Sequence, residues 1–238
     1  IADANPGSPL AYHLPQFKRW YSQAGTPRLQ ARGEFDAGNA TFTLTLTQSN
    51  HGQPPQVLSI AMGLPARGGQ ALTVQLDNDA YAWSATERVL VMTEAEQRFT
   101  FTGITEDCIP SLLRGYSAPV QLDDGLADAD LLVLMAHDAD AFNRWEAGQR
   151  LLLSRIRQAL AADSVVLDEA LANALQALLR DPTLAPAFKA LALTLPSEGY
   201  VAEQVVDVDP QRIHAVCDSL RLQLAARLQA DWAWAYEA

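Results

Sequence analysis

The sequence predicts a multidomain protein, β then α: an immunoglobulin-like β-sandwich followed by an α-helical domain, a solenoid-like stack of antiparallel helices. Three observations predict it. Apolar residues alternate with period two as far as about residue 120, and with helical period beyond it. Ten of the 13 glycines, nine of the 13 prolines and eleven of the 13 threonines fall at or before Pro119. The second half is instead filled with Ala, Leu and Arg, which are strong helix formers, whereas β-branched Thr favours strands and Gly and Pro punctuate turns.

The elements follow in order. Residues 1–14, with their Pro, Gly, Asp and Asn, read as a solvent-exposed lead-in and as a cut inside a longer chain. Residues 15–120 form the sandwich. Thr41-Phe-Thr-Leu-Thr-Leu-Thr47 puts Phe42, Leu44 and Leu46 on one face and four threonines on the other. Leu58, Ile60, Met62 and Leu64 form a second face, Leu72, Val74 and Leu76 a third, and Phe99 and Phe101 alternate with Thr100 and Thr102. Turn-rich stretches at 50–55, 68–69 and 77–79 separate them, so about seven short strands are expected.

Residues 121–238 form the helical domain, expected to be truncated at its C-terminus. Leu131, Met135, Phe142, Trp145, Leu152 and Ile156 make one core-facing stripe, and Leu167, Leu171, Leu175 and Leu178 the next. Asp181-Pro182 reads as an N-cap followed by proline at the first helical position, leading into Leu184, Phe188 and Leu191, with Pro196 as the stop. Asp209-Pro210 repeats that signal before Ile213, Val216, Leu220, Leu224 and Leu228.

Composition narrows the function classes. A net charge of −11 opposes a nucleic-acid or anionic-membrane partner. The excess is uneven: 8 basic and 10 acidic residues up to Pro119, 9 and 18 after it. No apolar run reaches the length of a membrane span, and residues 1–10 lack the pattern of a signal peptide. Two distant cysteines, Cys108 and Cys217, favour a reducing compartment, and a cytoplasmic location is expected.

No catalytic constellation emerges. His13, His51, His137 and His214 are scattered, and none has a second His or Cys at zinc-ligand spacing; His214 reads as a surface or boundary residue. Asp-x-Asp occurs at 77/79, 128/130, 138/140 and 207/209, but none continues into a calcium loop, and most sit where caps or turns are expected. Gly115-Tyr-Ser-Ala-Pro119 is one residue from a nucleophile elbow, yet a strand-like stretch follows where a helix is required. Gly68-Gly69 lacks the Lys of a phosphate loop. Asn39-Ala-Thr41 fits a glycosylation sequon, which matters only in a secreted eukaryotic protein. Cys217 reads as a buried hydrophobe. The expectation is therefore no catalytic, cofactor-binding or metal-binding residue in this chain. Trp20-Tyr21 with Tyr81 and Trp83 offer an aromatic patch, against which core packing is the competing reading. Trp232, Trp234 and Tyr236 end an amphipathic helix whose packing partners are expected further along a longer chain.

The residues also carry a resemblance. Phe17-Lys-Arg-Trp-Tyr-Ser-Gln-Ala-Gly-Thr-Pro27 resembles the segment opening the immunoglobulin-like domain of the bacterial aminopeptidase N family, zinc metallopeptidases of the gluzincin group. The similarity continues through Leu44-Thr-Leu-Thr-Gln48, Glu94-Ala-Glu-Gln-Arg-Phe-Thr-Phe101, Pro110-Ser-Leu-Leu113 and Tyr116-Ser-Ala-Pro-Val120. It reaches the helices at 132–137, Asp140-Ala-Phe-Asn-Arg-Trp145 and Leu193-Thr-Leu-Pro-Ser197. It implies a parent with an N-terminal β-domain, a thermolysin-like catalytic domain, a small sandwich and a large helical domain. The family's His-Glu-x-x-His zinc helix and Gly-x-Met-Glu-Asn substrate segment are absent from this sequence, so none of its catalytic roles transfers.

The resemblance thus implies a non-catalytic portion of a zinc aminopeptidase. Its sandwich would brace the catalytic domain, and its helices would wall the cavity that admits peptide N-termini. The implied partners are the catalytic zinc domain, the remaining helical domain and, through them, peptide substrates. The acidic helical half suits cationic peptide ends and equally a plain solvated surface. The alternative is a free-standing protein- or carbohydrate-binding sandwich with a helical appendage.

Overall fold

The computed structural model describes residues 2–82, 84–162 and 164–237. The chain divides into two compact units, Ile1–Leu126 and Ala127–Ala238. The division lies six residues beyond the expected boundary at 120/121, for a reason visible in the first sheet.

That sheet contains β1 (Arg28–Asp36), β2 (Thr41–Ser49), β6 (Glu96–Thr102) and β8 (Gln121–Asp123), in the order β6-β2-β1-β8. Strand β8 pairs in parallel with β1 through Arg28↔Gln121, Leu29↔Leu122 and Gln30↔Asp123, so residues 121–123 belong to the sandwich. The second sheet is built on β3 (Leu58–Pro65), flanked by β4 (Ala71–Leu72) and β5 (Glu87–Met92), with β7 (Ser111–Leu112) also paired to β3. Phe42, Leu44 and Leu46 pack against Leu58, Ile60, Met62 and Leu64 in one core with Leu90, Met92 and Phe101. The threonines of β2 lie on the opposite face, as strand alternation requires. The stretch around Val74 and Leu76 is mostly irregular: both side chains are buried, but Leu76 forms only an isolated bridge to Phe101.

Residues 2–14, expected as a solvent-exposed lead-in, carry helical structure. A short 3-10 turn at Ala2–Ala4 is followed by α1 (Pro9–Phe17), whose N-cap Ser8 accepts the Ala11 N–H at 3.2 Å. Lys18 keeps helical angles, φ −61° and ψ −15°, and α2 (Arg19–Ser22) follows directly.

The second unit holds α3 (Asp128–His137), α4 (Ala141–Ala161), α5 (Glu169–Arg180), α6 (Pro186–Ala192), α7 (Glu198–Glu203), α8 (Pro210–Arg227) and α9 (Gln229–Glu237). The expected first stripe is split between α3 and α4, because Asp140 caps a new helix by accepting the Asn143 N–H. Ile156 packs with Val201, Ile213, Val216, Cys217 and Leu220. The Asp209-Pro210 start is where the sequence puts it, with Asp209 accepting the N–H groups of Gln211 and Arg212. The Asp181-Pro182 start is not. Asp181 instead closes a turn by accepting the Thr183 N–H at 2.8 Å and its hydroxyl at 2.5 Å. The helix begins at Pro186, and Leu191 of the expected stripe faces solvent while Ala192 is buried.

Candidate functional site

Most of the described residues singled out by the sequence have a local structural partner or a surface position. His214 is exposed on α8, its Nδ1 2.9 Å from Glu198 Oε1, and His51 and His137 are also exposed. The acidic pairs act as caps and ion pairs. Asp79 takes a bidentate pair from Arg88 at 2.5 and 2.6 Å and the Leu76 N–H, and Arg88 holds its carboxyl below the usual range. Asp130 accepts the Ala127 N–H, Asp138 accepts the Asp140 N–H, and Asp128 meets Arg155. Among the described residues no three of His, Cys, Asp and Glu converge as a metal site would require. Ser117 Oγ accepts the Ala61 N–H of β3 at 2.9 Å. Gly69 lies in the β3–β4 turn, closed by its N–H to Ala66 O at 2.9 Å. Asn39 binds Asp36 in the β1–β2 turn. Both cysteines are buried, and burial pushes the Cys108 thiol up to about 12 and raises that of Cys217, so neither is poised as a nucleophile.

The aromatic patch separates. Trp20 packs against the sandwich core and donates Nε1–H to Val57 O at 3.0 Å. Tyr21 and Tyr81 are exposed, and Trp83 lies outside the described residues. At the other end Trp232 and Trp234 are partly exposed and Tyr236 is almost wholly so. Trp234 sits under the Arg180 guanidinium, 4.5 Å from ring centroid to Cζ, with Lys189 Nζ at 5.9 Å, a cation–π arrangement.

What the sequence did not indicate is a set of joints. Helix α4 carries two arginines that tie α3 to α5. Arg144, buried, donates to Met135 O at 3.0 Å and reaches Asp181 at 3.4 Å. Arg155 reaches Asp128 at 2.5 Å and Asp168, the N-cap of α5, also at 2.5 Å. Arg155 holds the Asp168 carboxyl below its ordinary value. In the sandwich, Arg114 is only 4% exposed and donates to Ser111 Oγ at 2.9 Å. It lies over Gly63, where an added Cβ would stand 2.3 Å from its Nη1. Asp128 and Asp181 were singled out in the sequence, but not their arginines, which lie 27 and 37 residues away.

A third joint fastens α1 and α2 to the sandwich by side chains that donate to main-chain carbonyls. Gln16 Nε2 reaches Thr93 O at 2.5 Å and Pro55 O at 3.2 Å, and Arg19 also bonds Pro55 O. Gln23 donates to Pro54 O at 3.0 Å, and Gln53 returns a bond to Ala24 O at 3.3 Å. The loop being gripped leaves β2 through a tight turn, closed by Gln53 N–H to Asn50 O at 2.9 Å, with His51 and Gly52 at positive φ. A separate cleft of about 330 Å³ opens in the helical unit between Trp145, Leu153, Pro196 and Tyr200. It is where the 140–145 and 193–197 motifs meet, and Glu146 and Arg150 also line it.

Comparison with known proteins gives a consistent picture. Residues 25–125 match the family described as a domain of unknown function with an Ig-like fold (DUF3458), and residues 128–238 match its companion with ARM repeats (DUF3458_C). The chain is 32% identical over 233 residues to Aminopeptidase N of Escherichia coli, and 39% identical over 222 residues to that of Caulobacter vibrioides. These alignments take in 94% and 90% of the chain but only 26% and 24% of those proteins. The crystal structure of Legionella pneumophila aminopeptidase A in complex with aspartic acid superposes with TM-score 0.79 and 26% identity, over 93% of this chain and 24% of that one. The chain therefore spans about a quarter of the length of the relatives it matches.

Proposed function

We infer that this chain belongs to the aminopeptidase N family and is the non-catalytic sandwich-and-helix portion of such an enzyme. The observation that carries the reading is its match to both the Ig-like and the ARM-repeat segments, in sequence order, across nearly the whole chain. Asp140 and Asp209 serve as helix caps, and Asp79 and Asp168 pair with arginines. The proposed role is mechanical: the sandwich braces the catalytic portion, and the helical unit helps to wall the cavity that admits peptide N-termini. Enclosure of that kind excludes water and strengthens the electrostatics of the site it surrounds.

The zinc of the family does not fit the described residues, which bring no three potential ligands together. We assign it to the catalytic portion, together with peptide binding. The domains proposed are a sandwich closed by β8 and a helical unit from Ala127. A cytoplasmic location is proposed from the two buried, unpaired thiols; no helix among the described residues is long and apolar enough to cross a membrane.

The experiment is zinc analysis and an aminopeptidase assay on the purified chain, alone and mixed with a separately produced catalytic portion. A metal-free, inactive chain that binds or stimulates the other portion is the expected result. Stoichiometric zinc, or turnover by the chain alone, would overturn the reading.

A further inference from the structure

Strand alternation continues past the end of β2. Leu44, Leu46 and Gln48 point into the sandwich, and Asn50, next in that alternation, is also buried, only 5% exposed. On the way into β3, Gln56 is 1% exposed. The apolar core thus ends in three side-chain amides. Gln48 is fully engaged: Nε2 donates to Gln56 O at 2.9 Å and to Glu94 O at 3.0 Å, and Oε1 accepts the Gln56 N–H at 2.9 Å. The others are not. Among the described residues no hydrogen-bonding group meets Asn50 Oδ1, Asn50 Nδ2 or Gln56 Oε1, nor Gln23 Oε1, although Gln23 Nε2 holds Pro54 O. These atoms belong to one junction. Asn50 Oδ1 stands 3.1 Å from the position a Cβ on Gly25 would take, and Gln53 ties the loop to Ala24 O. Gly25, at φ +92°, keeps that space open. Asn50 also opens the 50–53 turn, where an Asn side chain commonly folds onto the backbone two residues on. Here its oxygen makes no such bond.

We propose that this junction is a binding site for internal water, about two ordered molecules held by Asn50, Gln56 and Gln23. Buried polar groups in folded proteins are almost always paired, with protein or with ordered water. The inventory of unmet groups selects the ligand. Three amide oxygens require donors, and one amide nitrogen requires an acceptor. Water offers both functions: a pair of molecules has O–H groups enough for the oxygens and lone pairs for the Asn50 N–H. A monovalent cation would suit the oxygens alone and would repel Nδ2, which shares a carbon with Oδ1. None of the unmet atoms carries a negative charge to balance such an ion. An anion would suit Nδ2 alone. The water completes the joint made by Gln16, Arg19 and Gln53, linking the loop after β2 to the segment before β1 through solvent.

The test counts long-lived internal waters by magnetic relaxation dispersion of the solvent, in the 238-residue chain and in its Asn50→Leu variant. A loss of about one or two waters, in a variant whose circular dichroism is unchanged, is expected. An equal count in both folded proteins overturns the proposal. Where Asn50→Leu fails to fold, Gln23→Met, at the half-buried rim of the junction, gives the reading instead. Its count should fall by about one, and an unchanged count there overturns the proposal in the same way. A crystal structure of the chain reads the site directly. Solvent density about 2.7–3.2 Å from both Asn50 Oδ1 and Nδ2 supports it. A dry junction, with the amides bonded to one another, overturns it. So does density that only the oxygens approach, with a Tm that rises when sodium or potassium chloride replaces choline chloride at equal ionic strength. That outcome would make the occupant a cation.

Discussion

At the scale of single residues, charge is used for fastening. Arg114 shows how tightly. Its guanidinium lies flat on β3 because Gly63 offers no side chain, and it is held there by Ser111 and Glu87. A methyl group at position 63 would fall within 2.5 Å of three guanidinium atoms, so Arg114 would have to leave its bonds. Gly63→Ala is expected to cost about 1–3 kcal/mol, read as a lower urea midpoint. Gly199, in α7, is the contrast: nothing stands within 4 Å of an added Cβ. Gly199→Ala is expected to be neutral or to stabilise by about 0.5–1 kcal/mol. An unchanged midpoint for Gly63→Ala would show that Arg114 yields its place without loss.

At the scale of elements, helices are joined by polar clamps as much as by apolar stripes. Helix α9 is the clearest case. Its two tryptophans are partly exposed and Tyr236 almost wholly so, yet Asp231 is 3% exposed, accepting from Arg180 at 2.6 Å and from Gln176 at 2.8 Å on α5. Arg180 is the main cause that holds the Asp231 carboxyl below the ordinary carboxylate value, with Gln176 and the charge of Arg227 assisting. A depressed carboxyl contributes stability that is complete above its unfolded value, about 4, and is lost as pH falls through its folded value. Helix α9 should therefore stay docked at neutral pH and loosen in acid. Asp231→Asn should reproduce the loosening at pH 7, with amide exchange across 229–237 faster by about tenfold and α4 unaffected. Unchanged exchange would assign the docking to Trp234 and its two cations instead.

At the scale of the whole molecule, two units of different architecture share one chain, and each closes its own core. Residues 1–126 and 127–238 produced separately should give β-type and helical circular dichroism respectively, each with a cooperative thermal transition; two non-cooperative products would show that neither core suffices alone. The order of architectures was legible because period-two and helical alternation are local properties, written in neighbours a few residues apart. The turns, the Asp209-Pro210 start and the capping role of the acidic pairs were legible for the same reason. The strand-like character after Pro119 was legible too, but not the place of β8 beside β1 in the first sheet, because that pairing joins residues more than ninety positions apart. The Asp181 start failed because an Asx turn and a helix cap use the same side chain, and only the Thr183 and Arg144 contacts choose between them. By itself, then, the sequence determined the two architectures, their order and the family resemblance, all of which follow from local pattern. The tertiary structure alone decided which arginine meets which aspartate, where the sandwich ends and which carbonyls Gln16 and Arg19 grip, because these depend on partners that only folding brings together.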